Sequence, residues 1–206
     1  MALATYNDLV SAIADWLHRD DLTPRIGDFI SLAETKLNRV IRIPRMWAAT
    51  TLTAPDTGEV DLPNDLLELI RVRKPEGEYL SRTAVQVLDE TAKRRPTETL
   101  YAIRGRQLLI RPKPASGNTT DVVVEYYARP LPLGPSNPSN LWLELAPDAL
   151  LYGALVEASA YLYDDPRVPV WKQRFQEAMA AVQTAHENDV NTPQYGLRYP
   201  PANGVV

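Results

Sequence analysis

Three adjacent carboxylate pairs, Asp20-Asp21, Asp89-Glu90 and Asp164-Asp165, are the residues whose type and spacing come nearest to chemistry. Two carboxylates suffice for glycoside hydrolysis, one as acid and the other as base or nucleophile. Adjacent carboxylates, however, more often flank helices. Asp20 and Asp21, like Asp164 and Asp165, fall just before predicted helices, where the dipole favours negative charge. The two histidines, His18 and His186, have no second histidine at metal-ligand spacing. The chain lacks cysteine, which excludes disulfides and thiolate metal sites. No serine stands in a Gly-x-Ser-x-Gly elbow, and the nine glycines form no phosphate-binding loop. The sequence therefore predicts no catalytic residue, no metal site and no cofactor.

The basic residues are grouped. Lys36, Arg39, Arg42 and Arg45 recur around the end of a predicted helix, and they form one basic stripe if that helix continues. Such a stripe either solvates a face and complements the helix dipole or meets an acidic partner or DNA phosphates. A second group, Arg104, Arg106, Arg111 and Lys113, surrounds a predicted hairpin with only Tyr101 near enough to stack on a base. At the C-terminus, Tyr195, Leu197 and Tyr199 alternate with Gly196 and Arg198. A merely solvated tail is usually polar and poor in aromatics. This one suits addition to a partner's sheet edge or docking in a groove, the rival reading being packing back on its own bundle, so Tyr195, Leu197, Arg198 and Tyr199 are candidate interface residues.

Two amphipathic helices come first. Tyr6, Leu9, Val10, Ile13, Trp16 and Leu17 share one face, and Ile26, Phe29, Ile30, Ala33, Leu37, Val40 and Ile41 share another. Thr23 is placed to cap the second helix, with Pro24 in its first position. The period then changes to two. Strands are expected at Trp47–Thr53, Glu59–Leu62, Leu67–Lys74, Leu100–Arg104, Gln107–Arg111 and Asp121–Ala128. Gly105 supplies the tight turn of one hairpin. Thr83 and Gln86 have capping-box spacing, which predicts a short helix over Val85–Arg94. An apolar helix from Pro147 to about Tyr163 lacks a polar face, so either the β-lobe or a partner must cover it. A last helix over Pro169–Asp189 carries Trp171, Phe175, Met179, Val182 and His186 on one face.

The 206 residues suffice for a core without staples. A net charge of −4 argues against a freestanding DNA-binding domain. No basic segment followed by an apolar run marks a signal peptide, and the most apolar stretch is too short to span a bilayer. A soluble protein made in a reducing cytoplasm is expected.

The N-terminal block resembles the opening of the head–tail adaptor (connector) proteins of tailed bacteriophages. Members commonly carry a Tyr-x-x-Leu helix ending in Trp-Leu-x-Arg, here Tyr6–Leu9 and Trp16–Arg19. A Phe-Ile-x-Leu-Ala-Glu-x-x-Leu-Asn-Arg helix follows, here Phe29–Arg39. The resemblance implies a structural virion protein at the head–tail interface, made in the host bacterium. Its subunits would form a ring of about twelve copies under the portal. The ring would extend the DNA channel, let DNA pass without reading its sequence, and hold a downstream tail or nozzle protein. C-terminal arms of the family reach into the portal.

The expected fold class is therefore α+β. A helical bundle would combine an N-terminal pair (residues 1–45) with a C-terminal hairpin (147–190). A β-rich antiparallel lobe with one short helix (46–130) and a Pro-rich connection (131–146) would lie between them, and an extended arm (191–206) would follow. Two alternatives stand beside the adaptor: a tail-tube gatekeeper or stopper, separated by its partner order in the particle, and a virion-associated muralytic hydrolase, separated by turnover of peptidoglycan. A DNA-binding regulator ranks third because of the acidic balance.

Overall fold

The structure is a computed structural model. It describes residues 3–163 and 165–191, with side chains as far as Ala185. Helix α1 spans Tyr6–Leu17. It starts at a reciprocal cap: Thr5 Oγ1 accepts the Asp8 N–H at 3.2 Å, and the Asp8 carboxylate accepts the Thr5 N–H at 2.9 Å. His18, at φ +51°, closes the helix in the left-handed region, its N–H bonded to the Ala14 carbonyl. Leu9, Ala12, Ile13 and Leu17 are the buried face. Trp16, expected among them, is 42% exposed.

The second helix, α2, spans Ile26–Val40. Thr23 and Pro24 do not begin it as expected. They lie in a separate 3-10 turn, Asp20–Arg25, and α2 follows with no side-chain cap. Proline fits this tighter turn because its fixed φ suits both helix types. At the other end, Ile43 precedes Pro44 and is held extended at φ −127°, ψ 154°. Helix α2 has already ended at Val40, with Ile41 extended at ψ 132°, and Ile43-Pro44 bars its resumption through Arg45, so the stripe that a longer helix would have made is not formed.

Residues 47–128 form two sheets. Strands β1 (Trp47–Ala54), β3 (Leu66–Arg73) and β7 (Thr120–Ala128) make one, in the order β1-β7-β3. Strands β2 (Glu59–Asp61), β4 (Ser81–Arg82), β5 (Leu100–Arg104) and β6 (Gln107–Arg111) make the other, in the order β2-β6-β5-β4. Pairing is antiparallel except for the short parallel match of β4 to β5. Their facing surfaces share a core that includes Val72, Tyr101, Leu108, Ile110, Val122, Val124 and Tyr126. Helix α3 (Leu88–Arg94) covers the outer side of the second sheet through Leu88, Leu100, Ala102 and Leu109. The alternation of Tyr101 and Ile103 with Leu100 and Ala102 is what gives that sheet two buried faces. Thr83 caps nothing here: a 3-10 turn at Val85–Val87 precedes α3, and neither segment has a side-chain cap. A register shift between Leu69 and Arg71 lets Leu69 and Val72 face the core, while Arg71 and Arg73 face out.

The remaining elements are α4 (Leu141–Leu145), α5 (Pro147–Ala158) and α6 (Val168–Asn191). Helix α5 ends in a 3-10 turn at Ser159–Tyr161 rather than running on to Tyr163. It is apolar all round because α1, α2 and α6 pack against it, not because the β-lobe covers it. Gly153 permits the closest of these approaches. A Cβ there would lie 2.8 Å from the Ala33 Cβ and 3.0 Å from the Phe175 ring. The described residues thus form a mixed α+β fold of six α-helices and two mainly antiparallel sheets.

One buried carboxylate fastens the connection between lobe and helices. Glu34 on α2 is 5% exposed. It accepts the Leu133 N–H at 3.2 Å and the Asn140 side-chain amide at 2.6 Å. Asn140 in turn donates to the Leu131 carbonyl and caps α4, accepting the Trp142 and Leu143 N–H groups at 3.1 Å. Four residues along α2, Asn38 accepts the Trp142 indole N–H at 2.9 Å. Burial pushes the Glu34 carboxyl above the ordinary glutamate range, and the bonds from Asn140 and Leu133 oppose the shift. The folded state therefore binds this proton more tightly than the unfolded chain does. Stability from this site is greatest in acid and falls as pH rises from the unfolded pKa through the raised folded value. We expect the stability difference between wild type and Glu34→Gln, followed by urea unfolding from pH 4 upward, to move against wild type as pH rises. A difference that moved in its favour would remove burial as the dominant influence.

Candidate interaction surface

The basic quartet is dispersed over the joints of the fold. Lys36 pairs with Glu157 of α5. Arg42 donates to the Asn38 and Ile41 carbonyls at 2.8 and 2.7 Å, closing the end of α2, and meets Glu68 of β3 at 3.1 Å. Arg45 reaches Glu144 of α4 at 3.0 Å. Arg39 is exposed and makes no ion pair among the described residues. Three members of the second basic group are similarly engaged, while Lys113 is exposed and makes no ion pair among the described residues. Arg104 pairs with Glu59, Arg106 donates to the Pro63 carbonyl and Asn64, and Arg111 is nearly buried against Asp89. Tyr101 is 5% exposed inside the lobe and offers no stacking face.

Four of the five described carboxylates of the adjacent pairs take an arginine, and Asp20 only opens the 3-10 turn ahead of α2. Asp21 forks with Arg19 at 2.7 Å, and that hydrogen bond holds it below the ordinary aspartate range. Asp89 takes Arg111, and Glu90 takes Arg94 one turn on. Asp165 binds Arg167, whose guanidinium also donates to the Trp16 carbonyl at 2.8 Å and lies 5.0 Å from the centre of the Trp171 ring. Asp164 and the His186 side chain lie outside the described residues. Among those described, no group of three or more His, Cys, Asp and Glu side chains could hold a metal ion.

What the surface does offer is aromatic and arginine-rich. On one side of the helices, Trp16 meets Tyr152 edge-on at 5.8 Å, beside Arg167, Trp171 and Val170. On another, Tyr161 packs on Phe29, and its ring takes the Arg25 guanidinium at 5.4 Å, with Tyr163 fully exposed nearby in sequence. On the outer face of the first sheet, Arg71 lies between the exposed Trp47 and Tyr79 rings at 5.4 and 4.9 Å. Glu125, on the neighbouring strand, takes both Arg73 and Arg71, which hold it below the ordinary glutamate range against its burial. Tryptophan, tyrosine and arginine are the side chains that carry most binding energy at protein interfaces. Trp16, Arg25 and Trp47 received no interface role from the sequence, because exposure is invisible to helical and strand periodicity. Tyr195, Leu197, Arg198 and Tyr199 lie outside the described residues.

The described surface thus carries exposed aromatics and arginines of the kind that mediate protein–protein contacts. The SU10 adaptor protein family model matches residues 4–196, and the chain belongs to that family of phage head–tail adaptors. The family is one of structural phage proteins, which places this chain among virion components that contact other head and tail proteins. No curated protein matches the chain significantly. No helix of the described residues is long and apolar enough to cross a membrane.

Proposed function

We propose that this protein forms a ring that docks under the portal, extends the DNA channel and attaches the tail components. The observation that carries this reading is membership of the adaptor family across residues 4–196. In it, residues 1–45 and 147–190 make the helical bundle, residues 46–130 the lobe that meets neighbours and tail, and residues 131–146 their connection. The arm over 191–206 engages the portal through Tyr195, Leu197, Arg198 and Tyr199. The exposed aromatic surfaces supply the two unlike sides that a cyclic assembly requires. Arg39 is the member of the basic quartet left to contact an acidic neighbour. A charge of −4 repeated around the ring gives an acidic assembly, which disfavours retention of DNA in its channel.

The test is the mass of the species formed when the protein is mixed with its assembled cognate portal. We expect a portal ring carrying a stoichiometric second ring. Absence of binding, with both proteins folded, would place the chain further down the tail and sink the adaptor reading.

A further inference from the structure

A groove of about 300 Å³ opens beside the C-terminal half of α6. Ile43, Pro44 and Leu145 form one wall; Ala181, Val182 and Ala185 form the other. Val182 is buried at the floor, whereas Ala181, Ala185 and the 39%-exposed Leu145 face solvent. The lining is apolar with two charged groups at its rim, Arg45 and Asp148. Arg45 is paired with Glu144, while Asp148 makes no ion pair among the described residues. The groove is thus an apolar slot with room for an aromatic side chain and one open negative charge beside it.

We propose that in the free subunit this groove is filled in cis by the protein's own C-terminal segment, Tyr195–Tyr199. The first argument is reach. Helix α6 ends at Asn191, about 9 Å along its axis from Ala185 at 1.5 Å per residue. Tyr195–Tyr199 lie about 13–26 Å of extended chain beyond that end. Pro193 cannot continue the helix, and the residue before it favours an extended backbone. A reversal there returns the segment along the α6 surface to the groove. The second argument is chemistry. Tyr195, Leu197 and Tyr199 alternate, so an extended segment presents all three to one surface. Arg198 is the sole charged side chain in residues 192–206, and it matches the open carboxylate of Asp148.

The docked segment shields an apolar slot while the subunit is alone. On the adaptor reading, on which this step rests, the portal takes the same residues and uncovers the groove. Assembly and exposure are then linked by competition for one segment.

The absence of native cysteine makes the test direct. Full-length protein carrying Ala181→Cys and Leu197→Cys is oxidised without portal, beside a control carrying Lys172→Cys and Leu197→Cys. Lys172 is exposed and lies on the opposite face of α6, about 13 Å further from its C-terminal end. Circular dichroism checks that each variant is folded. We expect the first pair to close an intrachain disulfide at least ten times faster than the control, and Ala185→Cys with Leu197→Cys to behave like the first. Equal rates would overturn the proposal by showing the segment undocked. A disulfide between chains would overturn it in favour of docking on a second copy. Because no portal is present, failure here leaves the portal-binding result untouched, and failure to bind a portal leaves this result standing.

Discussion

Replacing Trp142 by alanine will cost the fold about 4 kcal/mol, in the range found for removal of large buried aromatics. Trp142 is 0% exposed, and it fills the space between α4 and the core shared by α1, α2, α5 and α6. Its indole N–H also satisfies Asn38 at 2.9 Å. Alanine removes both the packing and the bond and leaves a cavity that the capped turn at Asn140 resists closing. Domains of this kind have only about 5–15 kcal/mol in total. The variant should therefore lose about a quarter or more of the total stability. Trp142→Phe separates the two contributions, since it keeps most of the volume and loses a bond worth about 1 kcal/mol. Urea unfolding measures both. A loss below about 1 kcal/mol for the alanine variant would show that α4 is not anchored through this side chain.

Gly153→Val will destabilise the helices by about 3 kcal/mol through overpacking. A Cβ at this position already falls 2.8 Å from the Ala33 Cβ and 3.0 Å from the Phe175 ring. Valine adds two further carbons to that crowding, and neither α2 nor α6 can retreat without opening the core. Gly153→Ala is the finer probe. Alanine gains up to about 1 kcal/mol of helix propensity over glycine, so the collision costs any net loss plus that gain. A midpoint in urea equal to or above wild type for the valine variant would mean that the helices slide apart at little cost. It would then disprove close α2–α5 packing as a constraint on the sequence.

Much of this architecture is legible in the sequence. The helical faces around Leu9 and Ile13, and around Ile30 and Leu37, follow from periodicity alone. So does the hairpin at Gly105, whose φ of +61° a side chain rarely tolerates. The errors cluster where a backbone restriction outranks a side-chain preference. Thr23 has capping chemistry, but the 3-10 turn ahead of α2 leaves it no role as a cap. Lys36, Arg39, Arg42 and Arg45 have helical spacing, but Ile43-Pro44 forbids the helix that would align them. Helix α4 and Trp142 were hidden inside a proline-rich stretch, although Asn140 two residues before the tryptophan is a cap signal. Glu34 and Asn38 stood in the Leu-Ala-Glu-x-x-Leu-Asn motif without an assigned task. Their partners, Leu133, Asn140 and Trp142, lie about a hundred residues away, beyond the reach of any local pattern.

The pairing of Trp47 with Tyr127 puts the first and nearly the last residue of the lobe side by side. Everything between them leaves and rejoins the helices at one doorway, and nothing in the connectivity of the helices depends on what lies beyond it. The lobe is therefore an exchangeable cassette. A shorter, longer or differently folded insert with its ends one strand apart would leave the helical scaffold able to close, so the surface the lobe presents can change without rebuilding the helices.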